Sequence, residues 1–236
     1  MTNQSSIDDR AGWPPGFFIG SRERVPTDAQ ITAYTGRPVA TIGDCLGRSL
    51  GARGLKAYHE SLHVTMCGPA LTVRVRPGDN LMIHKALELA RAGDVLVIDG
   101  GGDLSQAVIG GLIRTTAMAA RLSGIVLDGA LRDVAEWSDG LMPIFAKGHT
   151  HRGPTKSGPG EINIPIACSG MTIAPGDLVI GDADGVISIP VDQLDELLPR
   201  VLEHERHEAG IREANANRSS DPERFNAILR ACGCPV

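Results

Sequence analysis

The sequence has no long apolar run, no concentrated basic region and no export signal. No apolar stretch approaches the ~20 residues that a membrane-spanning helix needs. The polar N-terminus carries Asp8 and Asp9 where a secretory signal would carry basic and then apolar residues. The formal net charge of -5 at pH 7 does not favour a polyanion-binding surface. We therefore expect a cytoplasmic protein with no membrane partner and no direct nucleic-acid partner.

Cysteines are few and scattered, and the sequence also lacks internal repeats and low-complexity tracts. An odd, dispersed set of cysteines does not resemble a disulfide framework, so we expect reduced thiols. Cys232 and Cys234 form a C-x-C pair that can bind a soft metal, but no second cysteine or histidine pair at ligand spacing completes a four-ligand site. The five cysteines are Cys45, Cys67, Cys168, Cys232 and Cys234.

Length and composition favour one soluble globular domain. The chain has 236 residues, of which 42% are hydrophobic and 22% are charged, close to the averages for such domains. Residues 1–26 contain several prolines with little apolar periodicity, and they predict an irregular N-terminal arm. We expect residues 27–215 to form the domain and residues 216–236 to form a polar C-terminal tail.

The first half of the chain alternates helical and strand patterns. Apolar residues recur at helical spacing or in short continuous runs, and turns rich in glycine and aspartate separate them. This order predicts right-handed crossovers in an α/β sheet, with the loops that follow the strands gathered on one rim. The predicted elements are two helices between Thr27 and Leu50 split at Gly36-Arg37-Pro38 with Thr41 as a helix N-cap, a strand at Ala70–Val75, a helix at Asn80–Arg91, a strand at Val95–Ile98, a helix at Leu104–Leu122 and a strand at Ile125–Leu127.

The second half changes to short strands and one long helix. Apolar runs separated by Gly-, Pro- and Asp-rich turns predict a mainly antiparallel region. Asp192 can cap a charged helix that extends to about Asn215, in which Pro199 marks either a kink or the true first turn. The predicted strands lie at Pro143–Ala146, Ile162–Ile166, Leu178–Ile180 and Val186–Ile189.

One segment after a buried strand combines the groups that an anionic, metal-binding substrate needs. It ends in Arg132 and Asp133 and contains Gly129, which lets backbone approach a ligand. An arginine offers a planar fork for a carboxylate, and an adjacent aspartate offers the hard oxygen donor that Mg²⁺ or Mn²⁺ prefers. The pair suits a substrate that is both an acid and a ketone, although a solvated Arg–Asp turn pair is the ordinary alternative.

A series of motifs, in order along the chain, is similar to those of one family. A series of this length is more specific than any single motif. The motifs are Pro77-Gly78-Asp79-Asn80, His84-Lys85-Ala86-Leu87, Gly93-Asp94-Val95-Leu96-Val97, Gly129-Ala130-Leu131-Arg132-Asp133-Val134, Pro175-Gly176-Asp177 and Asp182-Ala183-Asp184-Gly185-Val186. The chain resembles the RraA-like family, which unites the regulators of ribonuclease E activity with 4-hydroxy-4-methyl-2-oxoglutarate aldolases.

The resemblance implies a fold, an assembly and a site. The fold is an α/β one, a layered β/β/α sandwich similar to the swivelling phosphohistidine domain with a C-terminal helix, and the assembly is a homotrimer or homohexamer with sites between subunits. In the family's aldolases an Asp-x20-Arg-Asp pattern supplies a water-holding acid, a substrate-binding arginine and a metal-binding aspartate. Arg132 and Asp133 match the last two positions, whereas the first falls on Gly111, where this chain has no acid.

The resemblance also gives the loop around Gly111 a role. Backbone N–H groups at a helix start are expected there, where the family binds the substrate carboxylate. Asp103, in the preceding glycine-rich loop, either replaces the missing acid in catalysis or caps the next helix. Asp128 can support the metal through a ligand. The substrate-binding residues expected are Gly110, Gly111, Leu112, Ile113 and Arg132, and the catalytic ones are Arg132, Asp133 and Asp103.

Other polar residues carry weaker signals, with packing or surface roles as the alternative for each. His84 lies in a predicted helix, and His59 and His63 share a helical spacing without a third metal ligand. Further candidates for binding a second substrate carboxylate are Lys147, Arg152 and Lys156. The candidates for reaching a neighbouring subunit's site are Glu205 and Glu208.

Residues and resemblance together predict a metal-dependent carbon–carbon lyase. With Mg²⁺ or Mn²⁺ on Asp133 and a pyruvyl-type 2-oxo acid on Arg132, retro-aldol cleavage and decarboxylation both pass through a pyruvate enolate. The predicted activities are 4-hydroxy-4-methyl-2-oxoglutarate aldolase and oxaloacetate decarboxylase. Only the retro-aldol step needs a base, so the glycine at position 111 leaves decarboxylation as the more secure prediction. The alternatives are a related substrate and a non-catalytic regulator that binds ribonuclease E.

Overall fold

A mixed sheet with helices against it forms the body of the chain. The computed structural model describes residues 10–140, 142–219, 221 and 223–236. The strands are β1 (Phe17–Ile19), β2 (Lys56–Ala57), β3 (Met66–Val75), β4 (Val95–Asp99), β5 (Ala107–Ile109), β6 (Gly124–Leu131), β7 (Ile144–His149), β8 (Gly160–Ile162), β9 (Ile166–Cys168), β10 (Met171–Ile173), β11 (Leu178–Asp182) and β12 (Gly185–Ile189). The helices are α1 (Asp28–Tyr34), α2 (Val39–Cys45), α3 (Leu81–Leu89), α4 (Gly111–Ala119), α5 (Val134–Trp137), α6 (Leu194–Ala216) and α7 (Glu223–Ala231), with a 3-10 turn at Val191–Gln193.

The main sheet follows the order β1-β8-β3-β4-β6-β7-β2. β3, β4, β6 and β7 are parallel neighbours, and α3 and α4 lie in the connections between them. The first half of β3 also pairs with β11, which forms an antiparallel pair with β12. A separate antiparallel hairpin consists of β9 and β10. The predicted repeat of strand, helix and strand is therefore confirmed.

Alternate residues of the central strands face two different apolar cores. In β4, Leu96 and Ile98 pack with α3 and α4 on one face, while Val95 and Val97 pack with β9 and β10 on the other. Both faces of this strand are buried, which explains its continuous apolar run. A third core joins α1, α2 and α6 to β11 and β12. The layered β/β/α arrangement with a C-terminal helix is confirmed.

The predicted helix from Leu104 to Leu122 is wrong in its first part. Val108 and Ile109 belong to β5, which pairs in parallel with the end of β6, and the helix begins only at Gly111. A short apolar run has no period that separates strand from helix, and here two glycines mark the boundary. Asp103 consequently does not cap this helix. Its Oδ2 accepts hydrogen bonds from the N–H and O–H groups of Ser105 within the loop.

Four smaller predictions also change. Thr41 lies buried inside α2, because the helix begins after Pro38. β7 is parallel to β6, so the second half of the chain is antiparallel only in part. Pro199 lies inside α6 and does not mark its first turn, since the helix begins at Leu194. The segment that carries His59 and His63 is not helical.

Both ends of the described chain contain regular structure. Residues 1–9 of the predicted arm lie outside the described residues, but β1 pairs in parallel with β8, and Arg10 forms an ion pair with Glu161 at 2.6 Å. The predicted tail contains α7, on which Phe225, Ile228 and Leu229 are exposed. None of the helices described is both long and apolar enough to span a bilayer.

Candidate active site

Arg132 and Asp133 lie where the chain leaves β6 and enters α5. The Arg132 N–H donates to Ile109 O at the end of β5 at 3.0 Å. The buried Trp137 donates its indole N–H to Arg132 O at 2.9 Å. These bonds fix the backbone of the arginine from two sides. The segment therefore has a defined position at the rim where parallel strands end.

Asp133 adopts a left-handed backbone conformation, with φ 59° and ψ 43°. Aspartate tolerates this conformation better than most non-glycine residues. Its Oδ2 accepts the Gly111 N–H at 2.9 Å and lies 3.6 Å from Arg132 Nε. Both side chains are 40% exposed. The pair is thus more than a solvated turn, because the carboxylate is anchored to the start of α4 and is still open to a ligand.

Gly110 and Gly153 lack side chains and so leave room for Arg132 and Asp133. A Cβ atom at Gly110 would lie 2.5 Å from Asp133 Oδ2 and 2.9 Å from Arg132 Cγ. A Cβ atom at Gly153 would lie 3.0 Å from Arg132 Nη1. Gly110 has an extended backbone with φ −164°, so its requirement is for space and not for an unusual conformation. Close approach of the arginine to two backbone segments therefore depends on both glycines.

The volume beside Gly111 is filled by an acid that the sequence analysis did not single out. A Cβ atom at Gly111 would overlap Glu136 Oε2 and lie 2.6 Å from Glu136 Cδ. The Glu136 carboxylate thus lies where a side chain at position 111 would begin. Glu136 follows Asp133 by three residues in α5, and this spacing of two acids on one helical turn is the sequence signal that points to it.

A cavity of about 100 Å³ opens on one side of Arg132. Asp133 accepts the Gly111 N–H at the start of α4, and no side chain of the described residues binds the N–H groups of Leu112 and Ile113, which are therefore available to an anion. The arginine adds positive charge at the same place. This combination suits a carboxylate. The cavity is lined by Asn80, His84, Ala107, Val108, Ile109, Gly110, Leu112, Ile113, Arg132, Pro154 and Lys156.

His84 and Lys156 reach this cavity from separate elements. Burial lowers the pKa of His84, and the positive charge of Lys156 lowers it further. His84 is consequently a neutral imidazole at pH 7 that can accept a proton or a hydrogen bond. Lys156 lies in a loop that Asp79 and Thr155 attach to the start of α3, which is why residues so distant in sequence meet.

A second cavity, of about 300 Å³, lies on the other side of the arginine. Arg132 borders both cavities, so a ligand held by its guanidinium can extend in either direction. The second cavity is lined by Arg132, Asp133, Val134, His149, Thr150 and His151.

The donor set around Asp133 fits a magnesium or manganese ion. Oδ2 of Asp133 is used by the Gly111 N–H, which leaves Oδ1 for an ion. Glu136 brings a second carboxylate to the same backbone segment, where it can hold a water molecule of the ion. Magnesium is commonly bound by one or two carboxylates, while water and substrate oxygens complete its octahedron.

Asp103 and Asp128 lie outside both cavities beside Arg132. Asp128 is buried, and its Oδ1 accepts a hydrogen bond from Lys147 at 3.1 Å. Its Oδ2 accepts the Ser169 N–H at 2.9 Å. These contacts place the sequence candidates Asp128 and Lys147 in a separate polar network at the sheet rim.

The remaining candidates have other partners or stay exposed. His59 is buried and forms hydrogen bonds with the backbone of Ile144. Glu205 forms an ion pair with Arg37. Arg152 is exposed and lies outside the two cavities beside Arg132.

Comparison with known proteins identifies the family. A family model described as "RraA-like: Aldolase/RraA" matches residues 39–188. The chain belongs to the RraA-like family. A Halalkalibacterium halodurans protein named "Putative 4-hydroxy-4-methyl-2-oxoglutarate aldolase" is 41% identical over 171 residues, which cover 72% of this chain and 80% of that protein. A Thermus thermophilus protein named "4-hydroxy-4-methyl-2-oxoglutarate aldolase" is 35% identical over 123 residues, which cover 52% of this chain and 74% of that protein.

A solved RraA structure agrees with this assignment. Streptomyces coelicolor RraAS2, described as an unusual member of the RNase ES inhibitor RraA protein family, is similar with a TM-score of 0.73 at 26% identity, over 80% of this chain and 98% of that one. The RraA-like match includes Gly110, Arg132, Asp133 and Glu136. It ends within β12, so α6 and α7 lie beyond it.

Proposed function

We propose that this chain is a divalent-metal-dependent carbon–carbon lyase for pyruvyl-type 2-oxo acids, with 4-hydroxy-4-methyl-2-oxoglutarate aldolase and oxaloacetate decarboxylase activity. One observation carries the proposal: the Asp133 carboxylate, the Arg132 guanidinium and the N-terminus of α4 meet at one point. Asp133 Oδ2 accepts the Gly111 N–H at 2.9 Å and lies 3.6 Å from Arg132 Nε. The names of the two aldolase relatives support the same reaction class.

Arg132 and the start of α4 bind the substrate carboxylate. The guanidinium donates two parallel hydrogen bonds, and the N–H groups of Leu112 and Ile113 add donors from the helix. Neutral His84 and cationic Lys156 extend the cavity and accommodate a second polar end of the substrate. This arrangement fixes one end of the molecule and leaves the bond to be broken beside Asp133.

Asp133 holds Mg²⁺ or Mn²⁺, with Glu136 close by. When bound, the ion supplies positive charge that stabilises the negative charge developing on the ketone oxygen as the carbon–carbon bond breaks. Glu136, and not Asp103, is the acid that we assign to proton transfer, because its carboxylate lies against Gly111. It accepts the proton from the distal hydroxyl in the aldol substrate, directly or through water. Decarboxylation does not need this step.

We further propose that the sites lie between subunits of a homotrimer or homohexamer. Leu112 is 80% exposed and Val134 is 36% exposed, and both line the cavities at Arg132. Exposed apolar side chains around an open polar site suit an interface with another copy of the chain. Such an interface would also exclude water from the reaction.

The decisive experiment is a metal-dependence assay on the full chain. After chelator treatment and dialysis, release of pyruvate from oxaloacetate and from 4-hydroxy-4-methyl-2-oxoglutarate should fall to background. Addition of Mg²⁺ or Mn²⁺ should restore both, because the charge on the ketone oxygen is again stabilised. Turnover that persists at full rate in excess chelator would contradict the proposed role of the metal.

A non-catalytic regulator of a ribonuclease is the second candidate, since RraAS2 is described as a member of an inhibitor family. A folded, metal-loaded chain without turnover on either substrate, which inhibits ribonuclease E in the same preparation, would favour this role over the lyase.

Glu136→Gln should separate the two proposed activities. We expect kcat/KM for retro-aldol cleavage to fall about 10²–10⁴-fold, because the base is lost, whereas decarboxylation of oxaloacetate should change by less than about tenfold. Both are measured as pyruvate release. Glu196→Gln, which changes an exposed acid in the first turn of α6, is the matched control. Equal losses in both reactions would show that Glu136 does not act as the base.

Introducing an acid at position 111 is a second arm of this test. In a Glu136→Ala background the volume beside Gly111 is free, and Gly111→Asp returns a carboxylate to it. We expect the double variant to recover part of the retro-aldol activity that Glu136→Ala loses. Gly111→Asp alone should lower activity, because the new side chain overlaps the Glu136 carboxylate.

A further inference from the structure

A mixed cluster of imidazole and carboxylate groups lies where α6 packs against α2, far along the chain from Arg132. Asp44 comes from α2, and His204 and Glu208 lie one turn apart on α6. Their ligand atoms all lie within 4.8 Å of one another. Two of these residues lie beyond the RraA-like match, so the cluster is a feature of this chain's C-terminal helix.

The two distances from His204 to the carboxylates match the separation between ligand atoms of one metal ion. His204 Nε2 lies 3.4 Å from Asp44 Oδ2 and 3.5 Å from Glu208 Oε1. Charged N–H···O hydrogen bonds are shorter, at about 2.7–2.9 Å. Ligand atoms bound to one tetrahedral Zn²⁺ at about 2.0–2.1 Å lie about 3.3–3.5 Å apart. Among the described residues, Nε2 is buried and has no hydrogen-bond partner.

Each carboxylate presents only one of its oxygens to the histidine. Asp44 Oδ1 is 3.1 Å from Arg48 Nε, while Oδ2 faces His204. Glu208 Oε2 is 3.3 Å from Arg212 Nη2, while Oε1 faces His204. Partners that bind the outer oxygen orient the inner one, as they do around metal ligands. The two arginines therefore support the cluster and leave its inner atoms free.

An open cavity of about 420 Å³ borders Asp44 and His204. Water can enter there to complete the coordination of an ion. His207 lines the same cavity one turn along α6 but is not part of the cluster, so it offers a matched control. One nitrogen and two oxygen ligands suit Zn²⁺ and neighbouring first-row cations better than Mg²⁺.

We propose that Asp44, His204 and Glu208 form a second metal site, for Zn²⁺ or a similar transition cation, separate from the Asp133 site. α6 is buried against the body at Leu194 and Val201 and is mostly exposed beyond Val201. The ion fastens α6 to α2 at the point where α6 leaves the core. The site is structural, and it does not depend on the lyase proposal.

Zinc titration of the metal-free full chain tests this proposal. Cys232→Ser and Cys234→Ser are introduced throughout to remove the C-x-C pair, and excess Mg²⁺ is present to occupy the Asp133 site. We expect one equivalent of Zn²⁺ to bind by calorimetry and to raise Tm. Co²⁺ should give visible absorption bands of a low-coordinate nitrogen–oxygen site.

Variants locate the ion. His204→Ala, Asp44→Asn and Glu208→Gln should each weaken zinc binding about tenfold or more and lose the rise in Tm, while His207→Ala keeps both. The two near-isosteric amide variants keep the test valid if His204→Ala folds poorly. Turnover with Mg²⁺ should be unchanged in His204→Ala. The proposal would be overturned by unchanged zinc affinity in all three variants, by an equal loss in His207→Ala, or by the absence of zinc binding in the parent.

Discussion

Replacing Arg132 with alanine is expected to lower kcat/KM for oxaloacetate by about 10²–10³-fold. The guanidinium borders both cavities, and its backbone is fixed by Ile109 O and by the indole of Trp137. The loss is therefore one of ligand contacts and not of local structure. Arg132→Lys should recover little, because an ammonium keeps the charge but not the planar fork that binds a carboxylate.

The control for this experiment is Arg152→Ala. Arg152 is exposed in the loop beside the cavities and lines neither of them, so its loss removes a nearby positive charge without removing a contact. Pyruvate release is measured for both variants, with thermal unfolding to show that each is folded. An Arg132→Ala enzyme with kcat/KM near that of the parent would remove the basis of the lyase proposal.

The sequence predicted β4 because both faces of this strand are buried. Val95 to Ile98 form a continuous apolar run since alternate residues enter two cores. The start of α4 was predicted less well. Val108 and Ile109 lie in β5 because the end of β6 offers backbone partners, and local sequence carries no record of that pairing.

The sequence predicted the site residues that are adjacent in the chain, but not those that meet only in the folded structure. Arg132 and Asp133 are adjacent, so one motif contains both. Glu136 was missed because its significance depends on a contact with Gly111, twenty-five positions earlier in the sequence. Lys156 reaches the cavity because its loop is bound to the start of α3, in part by a buried aspartate. Contacts of this kind follow from tertiary structure, which a single sequence does not display.

That aspartate, Asp79, is the residue whose loss should cost the most stability. Its side chain is 1% exposed. Oδ1 accepts the Leu81 N–H at 3.0 Å in the first turn of α3. Oδ2 accepts the Thr155 hydroxyl and the Ser157 N–H, both at 2.7 Å. Asp79→Ala removes the buried acceptor that these three donors share, so we expect the free energy of unfolding to fall by about 2–3 kcal/mol.

The pH dependence follows from the same contacts. Burial acts to raise the pKa of Asp79, but the hydrogen bonds from Ser157, Leu81 and Thr155 outweigh it and hold the pKa below its ordinary value. A carboxyl with a lowered folded-state pKa adds stability above its unfolded pKa of about 3.9 and loses it as the pH falls through the folded value. The free energy of unfolding of the parent, measured with urea, should therefore fall in acid. In Asp79→Asn it should depend less on pH.

Asp28→Ala is the matched control, because Asp28 also lies near the start of a helix but is exposed. Its removal should cost no more than about 1 kcal/mol. Because Asp79 also fixes the loop that carries Lys156, its variants should bind 2-oxo acids more weakly even at temperatures where they remain folded. An Asp79→Ala chain that unfolds within about 1 kcal/mol of the parent would show that the loop is held by other contacts.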